Sequence, residues 1–324
     1  MRVEQSQGNP IIWTDGLAKR FNGDYAVYDV SFEVPRGMIF GFIGPSGSGK
    51  TTTIRMLTGY YQPSEGEVKV FDQSPAEFDK QARERFGYLP QQFVLYPDLT
   101  VWENLNFTAS IYGLPLRRKQ TLDEKLDFVE LGGHERKLAR ELSGGMQRRL
   151  SLAATLLHDP ELIFLDEPTA GVDPVLRRKF WDHFQALKEQ GRTLFITTQY
   201  VSEAAYCDLV AVINGGRLIT VDTPHGLRYH AFGGDIVELR TVERLTYSQI
   251  TQLQDLTYVR RDIDRIEENV VRLVVNEAST DIQALLDWCD VEGLEVESIE
   301  EYLPPFDDVF VELIHSDNGG TLDD

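Results

Sequence analysis

A glycine-rich segment at residues 44–51 reads Gly-Pro-Ser-Gly-Ser-Gly-Lys-Thr, and it lies between an apolar run and a helical pattern. The backbone N–H groups of such a loop and the N-terminus of the following helix favour a bound phosphate. At this spacing Lys50 can reach the β- and γ-phosphates of a nucleotide, and the Thr51 hydroxyl can bind Mg²⁺. We therefore predict a nucleoside triphosphate site formed by Gly44, Pro45, Ser46, Gly47, Ser48, Gly49, Lys50, Thr51 and Thr52.

Two adjacent carboxylates follow a second apolar run, Leu162-Ile-Phe-Leu165. Because side chains alternate along a strand, Asp166 and Glu167 must point in different directions and can have different roles. Asp166 would bind Mg²⁺ through water, and Glu167 would polarise the water that attacks the phosphate. An apolar strand ending in Asp-Glu is by itself as often an ordinary strand exit, but a phosphate loop in the same chain favours the functional interpretation.

A second glycine-bearing helix start lies between these two motifs, in the segment Leu142-Ser-Gly-Gly-Met-Gln147. Ser143 is a good N-cap residue for the helix that follows. The start of that helix is a second potential anion site. Without context the segment would be only a capped amphipathic helix, with apolar residues at helical spacing at Met146, Leu150, Ala153 and Leu157.

The elements that must position these residues are short apolar strands that alternate with helices between Ile11 and about Val221. The apolar runs lie at residues 38–43, 162–165, 193–196 and 209–213. Unbroken runs of this kind are typical of a mainly parallel sheet that is covered on both faces. We therefore predict an α/β domain over residues 11–224.

The chain of 324 residues has 32 basic and 52 acidic side chains, for a formal net charge of −20. The last hundred residues hold 23 of the acids and only 7 of the bases. A surface this negative repels phosphate backbones and anionic lipid, so the composition argues against nucleic acid as a partner. The simplest interpretation is a solvated acidic face.

A different pattern begins after Thr223–Gly226, which we predict to be a turn, and Gly233-Gly234, which we predict to be a linker. It indicates strands at 235–241, 257–264, 270–275 and 294–298 and helices at 246–254, 282–289 and 306–313. The order is βαββαβ followed by a helix, which is typical of a ferredoxin-like unit. We therefore predict a small acidic α+β domain over residues 235–315.

Several other classes of protein are disfavoured by the sequence. Cys207 and Cys289 are far apart and form no CxxC motif, and the six histidines show no paired metal-binding spacing. No window approaches 18 consecutive apolar residues, and residues 1–10 lack the apolar run of a signal peptide. We expect a cytoplasmic protein whose only metal is the Mg²⁺ that accompanies the nucleotide.

The ordered motifs resemble those of the ATP-binding subunit of an ABC transporter, a P-loop NTPase. Residues 44–51 are similar to its Walker A loop, Gln91 to the Q-loop glutamine, 142–147 to the signature motif, 162–167 to Walker B and 170–173 to the D-loop. The resemblance covers about residues 11–224. The residues within these motifs are most similar to those of exporter subunits of the drug, antibiotic and polysaccharide type. Met146 and the run from Leu95 to Asn104 carry this similarity.

The resemblance implies a head-to-tail dimer that binds two ATP molecules between its subunits. Ser143, Gly144 and Gly145 of one copy would face the nucleotide on Walker A of the other, which explains the second anion-binding helix start. Asp173 would also belong to the nucleotide site. Gln91, together with Thr51 and Asp166, would bind at the Mg²⁺ ion, and residues 93–102 would form part of the groove for a membrane-embedded permease subunit.

Two further site residues follow from the resemblance. Phe21 matches the aromatic residue that stacks on adenine, although Tyr25 or Tyr28 could stack instead. Gln199 stands where the family usually has a histidine. A glutamine can donate a hydrogen bond to the γ-phosphate but cannot carry a proton near neutral pH. Among the expected catalytic residues Glu167, Lys50 and Gln199, only Glu167 can therefore serve as the base.

Three functions remain compatible with the motifs. The first is the ATPase subunit of an exporter, held at the cytoplasmic face of the membrane by a separate permease. A soluble ABC ATPase of translation or DNA repair is an alternative, although such proteins generally have two ATP modules or a long coiled-coil insertion. An importer subunit would differ mainly in its partner. The C-terminal domain could regulate the dimer or could simply keep the protein soluble.

Overall fold

The computed structural model describes residues 9–260 and 263–319, and it divides into two units, the first ending at Asp222 and the second beginning at Thr223. The described part of the first unit contains nine strands: β1 (Ile12–Phe21), β2 (Asp24–Val34), β3 (Ile39–Ile43), β4 (Glu65–Val70), β5 (Phe86–Leu89), β6 (Leu162–Asp166), β7 (Thr193–Thr198), β8 (Leu209–Asn214) and β9 (Arg217–Asp222). They form two sheets.

The larger sheet has six strands in the order β5-β6-β7-β3-β8-β9. The first five are parallel, and β9 pairs antiparallel with β8. All residues of β3, β6 and β7 are buried, as expected for central strands covered on both faces. The predicted apolar runs are β3, β6, β7 and β8, so the prediction of a mainly parallel α/β sheet is confirmed.

The smaller sheet is antiparallel, with the order β2-β1-β4, and it was not predicted from the sequence. One side chain of β2, Phe32, packs against the larger sheet. Its ring centroid lies 5.5 Å from that of Phe40, 5.6 Å from that of Phe42 and 6.0 Å from that of Phe195. The core of the first unit therefore lies between the two sheets and fixes β3, which leads into the glycine-rich loop.

Six α-helices complete the described part of the first unit: α1 (Lys50–Leu57), α2 (Lys80–Glu84), α3 (Val101–Ile111), α4 (Lys119–Phe128), α5 (Gly144–Thr155) and α6 (Pro174–Glu189). Three of the longer helices begin at a residue whose side chain caps the first turn. Thr100 forms a capping box with Glu103 at α3, Ser143 caps α5, and Asp173 caps α6. The capped starts of α5 and α6 are the predicted signature and D-loop segments.

The second unit is built on an antiparallel sheet with the order β11-β12-β10-β13. Its elements are α7 (Pro224–Phe232), β10 (Asp235–Thr241), α8 (Tyr247–Gln254), β11 (Asp264–Glu267), β12 (Val270–Val275), α9 (Ala278–Glu292), β13 (Val296–Tyr302) and α10 (Phe306–Gly319). This is the strand order of a ferredoxin-like unit, and it confirms the predicted βαββαβ topology.

Three local predictions for this region were wrong. Thr223 begins a helix instead of a turn, because its side chain accepts a hydrogen bond from Gly226 N and Pro224 occupies the first helical turn. Gly233 ends that helix in the left-handed conformation, so Gly233-Gly234 is not a linker between domains but lies within the second unit. The strand predicted at 257–264 lies at Asp264–Glu267 instead.

The described residues include no helix that is both long and apolar enough to cross a bilayer. Cys207 and Cys289 are both buried free thiols. The prediction that residues 1–10 contain no signal peptide concerns mainly residues 1–8, which lie outside the described residues.

Candidate nucleotide-binding site

The glycine-rich loop connects β3 to α1 at the carboxyl edge of the larger sheet. Gly44 N donates a hydrogen bond to Thr198 O at the end of β7, with a distance of 3.3 Å. A Cβ atom on Gly44 would lie 2.1 Å from Ile213 O, and one on Gly49 would lie 2.7 Å from Ala26 O. Gly49 also has a φ of +100°, which an L side chain rarely adopts. These two glycines therefore let the ends of the loop pack closely against the backbone of β8 and β2.

Lys50 is the first residue of α1, and its side chain is buried in the loop. Its Nζ donates to Gly44 O and Pro45 O, both at 2.9 Å, and lies 3.3 Å from Glu167 Oε1. The ammonium group is thus held inside the loop, opposite a carboxylate at the end of β6. The arrangement places a positive charge where the motif predicts phosphate oxygens.

Asp166 ends β6 with its carboxylate buried beside the start of α1. Its Oδ1 accepts hydrogen bonds from the Thr51 hydroxyl at 3.1 Å and from the Thr197 hydroxyl at 2.7 Å. Within the described part of the chain, its Oδ2 and the Ser48 hydroxyl are buried with no hydrogen-bond partner. A buried carboxylate oxygen without a donor, next to two hydroxyls, is a set of hard oxygen ligands that fits Mg²⁺.

Glu167 lies just beyond β6 in the left-handed conformation, with a φ of +47°. Its N–H donates to both the carbonyl and the hydroxyl oxygen of Thr197, each at 3.0 Å. Its carboxylate lies between Lys50 Nζ and Gln91, whose Nε2 donates to Oε2 at 2.8 Å. Glu167 therefore lies outside the strand, so a backbone turn, and not the alternation of side chains along β6, sets its direction, and its carboxylate contacts Gln91 in the same cluster.

Three residues of this cluster were given no role in the sequence analysis. Thr197 orients both carboxylate residues, and Arg148 donates to their backbone. Burial, reinforced by the Asp166 carboxylate, raises the pKa of Tyr88 to about 12, so its hydroxyl stays protonated.

The signature and D-loop segments lie at separate helix starts. The Ser143 hydroxyl is exposed and accepts from Met146 N at 3.3 Å, and Gly144 beside it is also exposed. A Cβ atom on Gly145 would lie 2.4 Å from Leu176 Cδ2, so this glycine lets α5 approach α6. Asp173 Oδ1 accepts from two backbone N–H groups of α6. Over residues 9–260 and 263–319, no hydrogen bond joins the signature segment 142–147 to Lys50, Asp166 or Glu167, whereas Ala170 N of the D-loop segment donates to Glu167 O at 3.2 Å.

The three candidate stacking rings differ in what covers them. Phe21, at the end of β1, is 40% exposed, its ring meets that of Tyr61 in a T-shaped contact at 5.3 Å between centroids, and Lys19 Nζ lies over it at 5.5 Å from the centroid. Arg20 covers Tyr25 at 4.0 Å from the ring centroid, and Arg217 lies 4.8 Å from that of Tyr28. The cation over Phe21 is farther from its ring than those over Tyr25 and Tyr28, which favours Phe21 as the adenine platform.

Gln199 follows β7 directly and is exposed. Thr198 before it pairs with Ile43, the last residue of β3, and its carbonyl accepts from Gly44. Gln199 is therefore at the same sheet edge as the glycine-rich loop, where its amide can donate toward a bound phosphate.

Comparison with known proteins identifies the class to which this site belongs. The family described as ABC transporter matches residues 27–170. The daunorubicin resistance ATP-binding protein DrrA3 of Streptomyces coeruleorubidus is 33% identical over 308 residues, which are 94% of this chain and 96% of that protein. The chain therefore belongs to the ABC transporter family of ATP-binding proteins, as its motifs predicted.

Two further comparisons show how much of a longer relative the chain covers and which solved fold it shares. The probable multidrug ABC transporter ATP-binding protein YbhF of Escherichia coli is 41% identical over 231 residues, but the match covers only 39% of that longer protein. The dimeric ATP-binding cassette MJ0796, solved in a post-hydrolysis state with ADP and Pi, superimposes with a TM-score of 0.61 at 26% identity, over 65% of this chain and 98% of that one. These comparisons confirm the fold class.

Proposed function

We propose that this chain binds and hydrolyses ATP as the energy-supplying subunit of an exporter. The observation that supports this most directly is the convergence of Lys50, Thr51, Gln91, Asp166 and Glu167 at the carboxyl edge of one sheet. The five side chains come from three separate stretches of the chain. Together they offer a cation for phosphate, oxygen ligands for a metal and a carboxylate base.

Each side chain has a chemical task that its contacts support. Thr51, Asp166 and Gln91 would hold Mg²⁺, which when bound neutralises phosphate charge. Lys50 would attract the β- and γ-phosphates from within the loop. Glu167 accepts a hydrogen bond from Gln91 and forms an ion pair with Lys50 Nζ at 3.3 Å, so its carboxylate is oriented and can take a proton from an attacking water. Gln199 would donate a hydrogen bond without carrying a proton.

The site would be completed by a second copy of the chain. Ser143 and Gly144 are exposed at the N-terminus of α5, a twelve-residue helix whose dipole favours an anion, yet they contact no described residue of their own Walker cluster by a hydrogen bond. A head-to-tail dimer would bring this helix start to the γ-phosphate on the other copy. The similar cassette MJ0796 was solved as a dimer bound to ADP and Pi, which supports this arrangement.

An exposed apolar surface beside Gln91 would bind the permease. Val94, Tyr96, Phe107 and Ile111 are 63%, 52%, 42% and 62% exposed, and the rings of Tyr96 and Phe107 meet edge to face at 5.1 Å. Large apolar side chains clustered on a surface mark an interaction site. Because Gln91 donates to Glu167 and lies three positions before Val94 along the chain, docking here would be coupled to the nucleotide site, and the chain would be held at the cytoplasmic face of the membrane.

Export is favoured over import and over a role in translation by a relative that covers most of the chain. DrrA3, named for daunorubicin resistance, matches both units of this protein over 94% of its length. The strongly acidic C-terminal part also argues against a nucleic-acid partner.

Replacement of the base tests the ATPase proposal. We expect Glu167→Gln to lower steady-state phosphate release from Mg·ATP at least about 100-fold, because the amide cannot accept a proton, while ATP affinity is retained. The same variant should form an ATP-dependent dimer, measured by light scattering. Glu189→Gln, an exposed glutamate at the end of α6, is the matched control and should behave as the parent.

Two results would contradict the proposal. Turnover of Glu167→Gln near the parent rate would exclude Glu167 as the base. Full activity of a strictly monomeric parent, with Ser143→Ala indistinguishable from it, would exclude the shared site.

A further inference from the structure

The guanidinium of Arg148 in α5 is buried in the first unit, with only 9% of the residue exposed. Nε donates to Pro168 O at 3.0 Å. Nη1 donates to Pro90 O at 2.6 Å and to Gln91 O at 2.8 Å, and Nη2 donates to Asp166 O at 2.9 Å and to Glu167 O at 2.7 Å. An arginine has five N–H donors, so every donor is used, each on a backbone carbonyl.

These carbonyls belong to two of the catalytic segments. Asp166, Glu167 and Pro168 are consecutive, and their carbonyls converge on one guanidinium because Glu167 turns the backbone with its φ of +47°. A left-handed residue with a side chain is strained and persists only where its surroundings hold it. Arg148 supplies three hydrogen bonds to this turn from the carbonyl side, while Thr197 holds the Glu167 N–H.

The same guanidinium also holds the backbone of Gln91, whose side chain donates to Glu167. No carboxylate oxygen is among its hydrogen-bond partners in the described chain, so it acts as a rigid spacer between carbonyls and does not form an ion pair at contact distance. Burial lowers the pKa of Arg148, with Asp166 and Glu167 opposing the shift, but a guanidinium remains charged at any pH at which the protein folds.

We propose that Arg148 is a positioning residue that fixes Glu167 and Gln91 relative to each other and to the signature helix, so that the arrival of a nucleotide at Ser143 is felt at the catalytic base of the same chain. This inference rests on the proposed ATPase function. Ser143 is the N-cap of α5 and Arg148 lies on its second turn, so one helix connects the expected phosphate contact to the guanidinium. A shift at its N-terminus therefore displaces the carbonyls that Arg148 holds.

Two substitutions test this role in the full chain. A lysine has three donors on a flexible stem and a glutamine side chain has two, so neither can bind the five carbonyls at once. We expect Arg148→Lys and Arg148→Gln each to lower kcat for Mg·ATP at least about tenfold, while the dissociation constant for ATP, measured by calorimetry, stays within about threefold of the parent. We expect kcat to fall without a change in the dissociation constant because Walker A binds the nucleotide, whereas Arg148 positions only the groups that act in hydrolysis.

The neighbouring arginine is a matched control. Arg149 lies on the same helix but donates to Val129 O and Glu130 O, outside the site. Arg149→Lys should leave both kcat and affinity within about twofold of the parent.

Each outcome decides the question. If the parent is active and both Arg148 variants have its kcat, the inference is overturned but the proposed function is not. If the parent has no ATPase activity, the proposed function is overturned. An equal loss in Arg149→Lys would show general damage to α5 and overturn the positioning role. Loss of the folded circular dichroism signal in both Arg148 variants would also overturn it, because Arg148 would then be a residue of the core.

Discussion

At the scale of single residues, the site depends on side chains that orient one another. Thr197 joins the two carboxylate residues by accepting from Glu167 N and donating to Asp166 Oδ1. Lys50 is similarly shared between the loop carbonyls and Glu167. Because each catalytic group is held by at least one other, substitutions here should alter rate and affinity separately, according to which partner is lost.

The choice of stacking ring is a prediction at this scale. We expect Phe21→Ala to weaken ATP binding by about 1–3 kcal/mol, about 5- to 150-fold in the dissociation constant, because the stacking contact with the base would be lost. Tyr25→Ala should change the constant less than threefold, since Arg20 already covers that ring. Fluorescence titration with a labelled ATP analogue measures both. The reverse order of effects would assign the stacking to Tyr25.

At the scale of elements, the glycine-rich loop tolerates side chains at some positions only. A methyl group on Gly44 would collide with Ile213 O of β8, whereas one on Gly47 meets nothing within 4 Å and is opposed only by a φ of +79°. The loop is therefore constrained by the neighbouring strand at its start and by its own backbone at its tip.

This difference predicts unequal effects of two alanine substitutions. We expect Gly44→Ala to lower the free energy of unfolding by about 3 kcal/mol and to abolish ATP binding, because the β3–β8 contact must open. Gly47→Ala should cost about 1–2 kcal/mol, the usual penalty for a left-handed alanine. Urea titrations compare them. Equal losses would mean that the backbone conformation, and not the contact with β8, limits the loop.

The helical part of the first unit contains a pH-sensitive contact. His158 follows α5, stacks on Tyr112 at 3.8 Å between centroids, and has Nε2 3.0 Å from Phe86 O. Burial lowers the pKa of His158 below its ordinary 6.5, so the unfolded chain binds this proton at higher pH than the folded chain does. The stability gained from the neutral ring is present above about pH 6.5 and is lost as the pH falls toward the folded pKa.

We therefore expect acidification from pH 7.5 to 5.5 to lower the melting temperature less in His158→Gln than in the parent. The glutamine keeps a donor near Phe86 O but has no proton to gain. His315→Gln, at a position of α10 in the second unit, is the control and should follow the parent. Identical slopes for the parent and His158→Gln would show that the contact at Phe86 does not titrate.

At the scale of the whole molecule, the boundary between the two units lies between Asp222 and Thr223. Helix α7 belongs to the second unit, where it packs against α10 and where Leu227 and Ala231 are buried. A chain that ends at Asp222 keeps all described strands of the nucleotide-binding unit, whereas one that ends at Gly233 keeps α7 without its partner helix.

We expect residues 1–222 to fold and bind ATP, and residues 1–233 to aggregate more because the apolar face of α7 is exposed. Light scattering and calorimetry distinguish the two. The ATPase rate and dimerisation of residues 1–222 also decide the role of the second unit. Values equal to those of the full chain would favour a solubilising role, and altered values would favour regulation of the dimer. Better behaviour of residues 1–233 would contradict the boundary.

Local sequence patterns alone determined the class of this protein and most of its elements. The glycine-rich loop, the apolar run before Asp166 and the capped helix after Ser143 each encode their structure within a few residues, because caps, turns and periodicity act over short distances. The ferredoxin-like order followed from the same local signals. The short strand β11 was misplaced, since all four of its residues are exposed and no burial pattern marks it.

Only the tertiary structure decided which side chains meet. Arg148 reaches Pro90, 58 positions away along the chain, and Thr197 reaches Asp166, 31 positions away. Such contacts depend on how strands align in the sheet, which no short pattern specifies. The boundary at Thr223 has the same cause, because α7 is assigned to the second unit by the helix against which it packs, and not by the glycines that follow it.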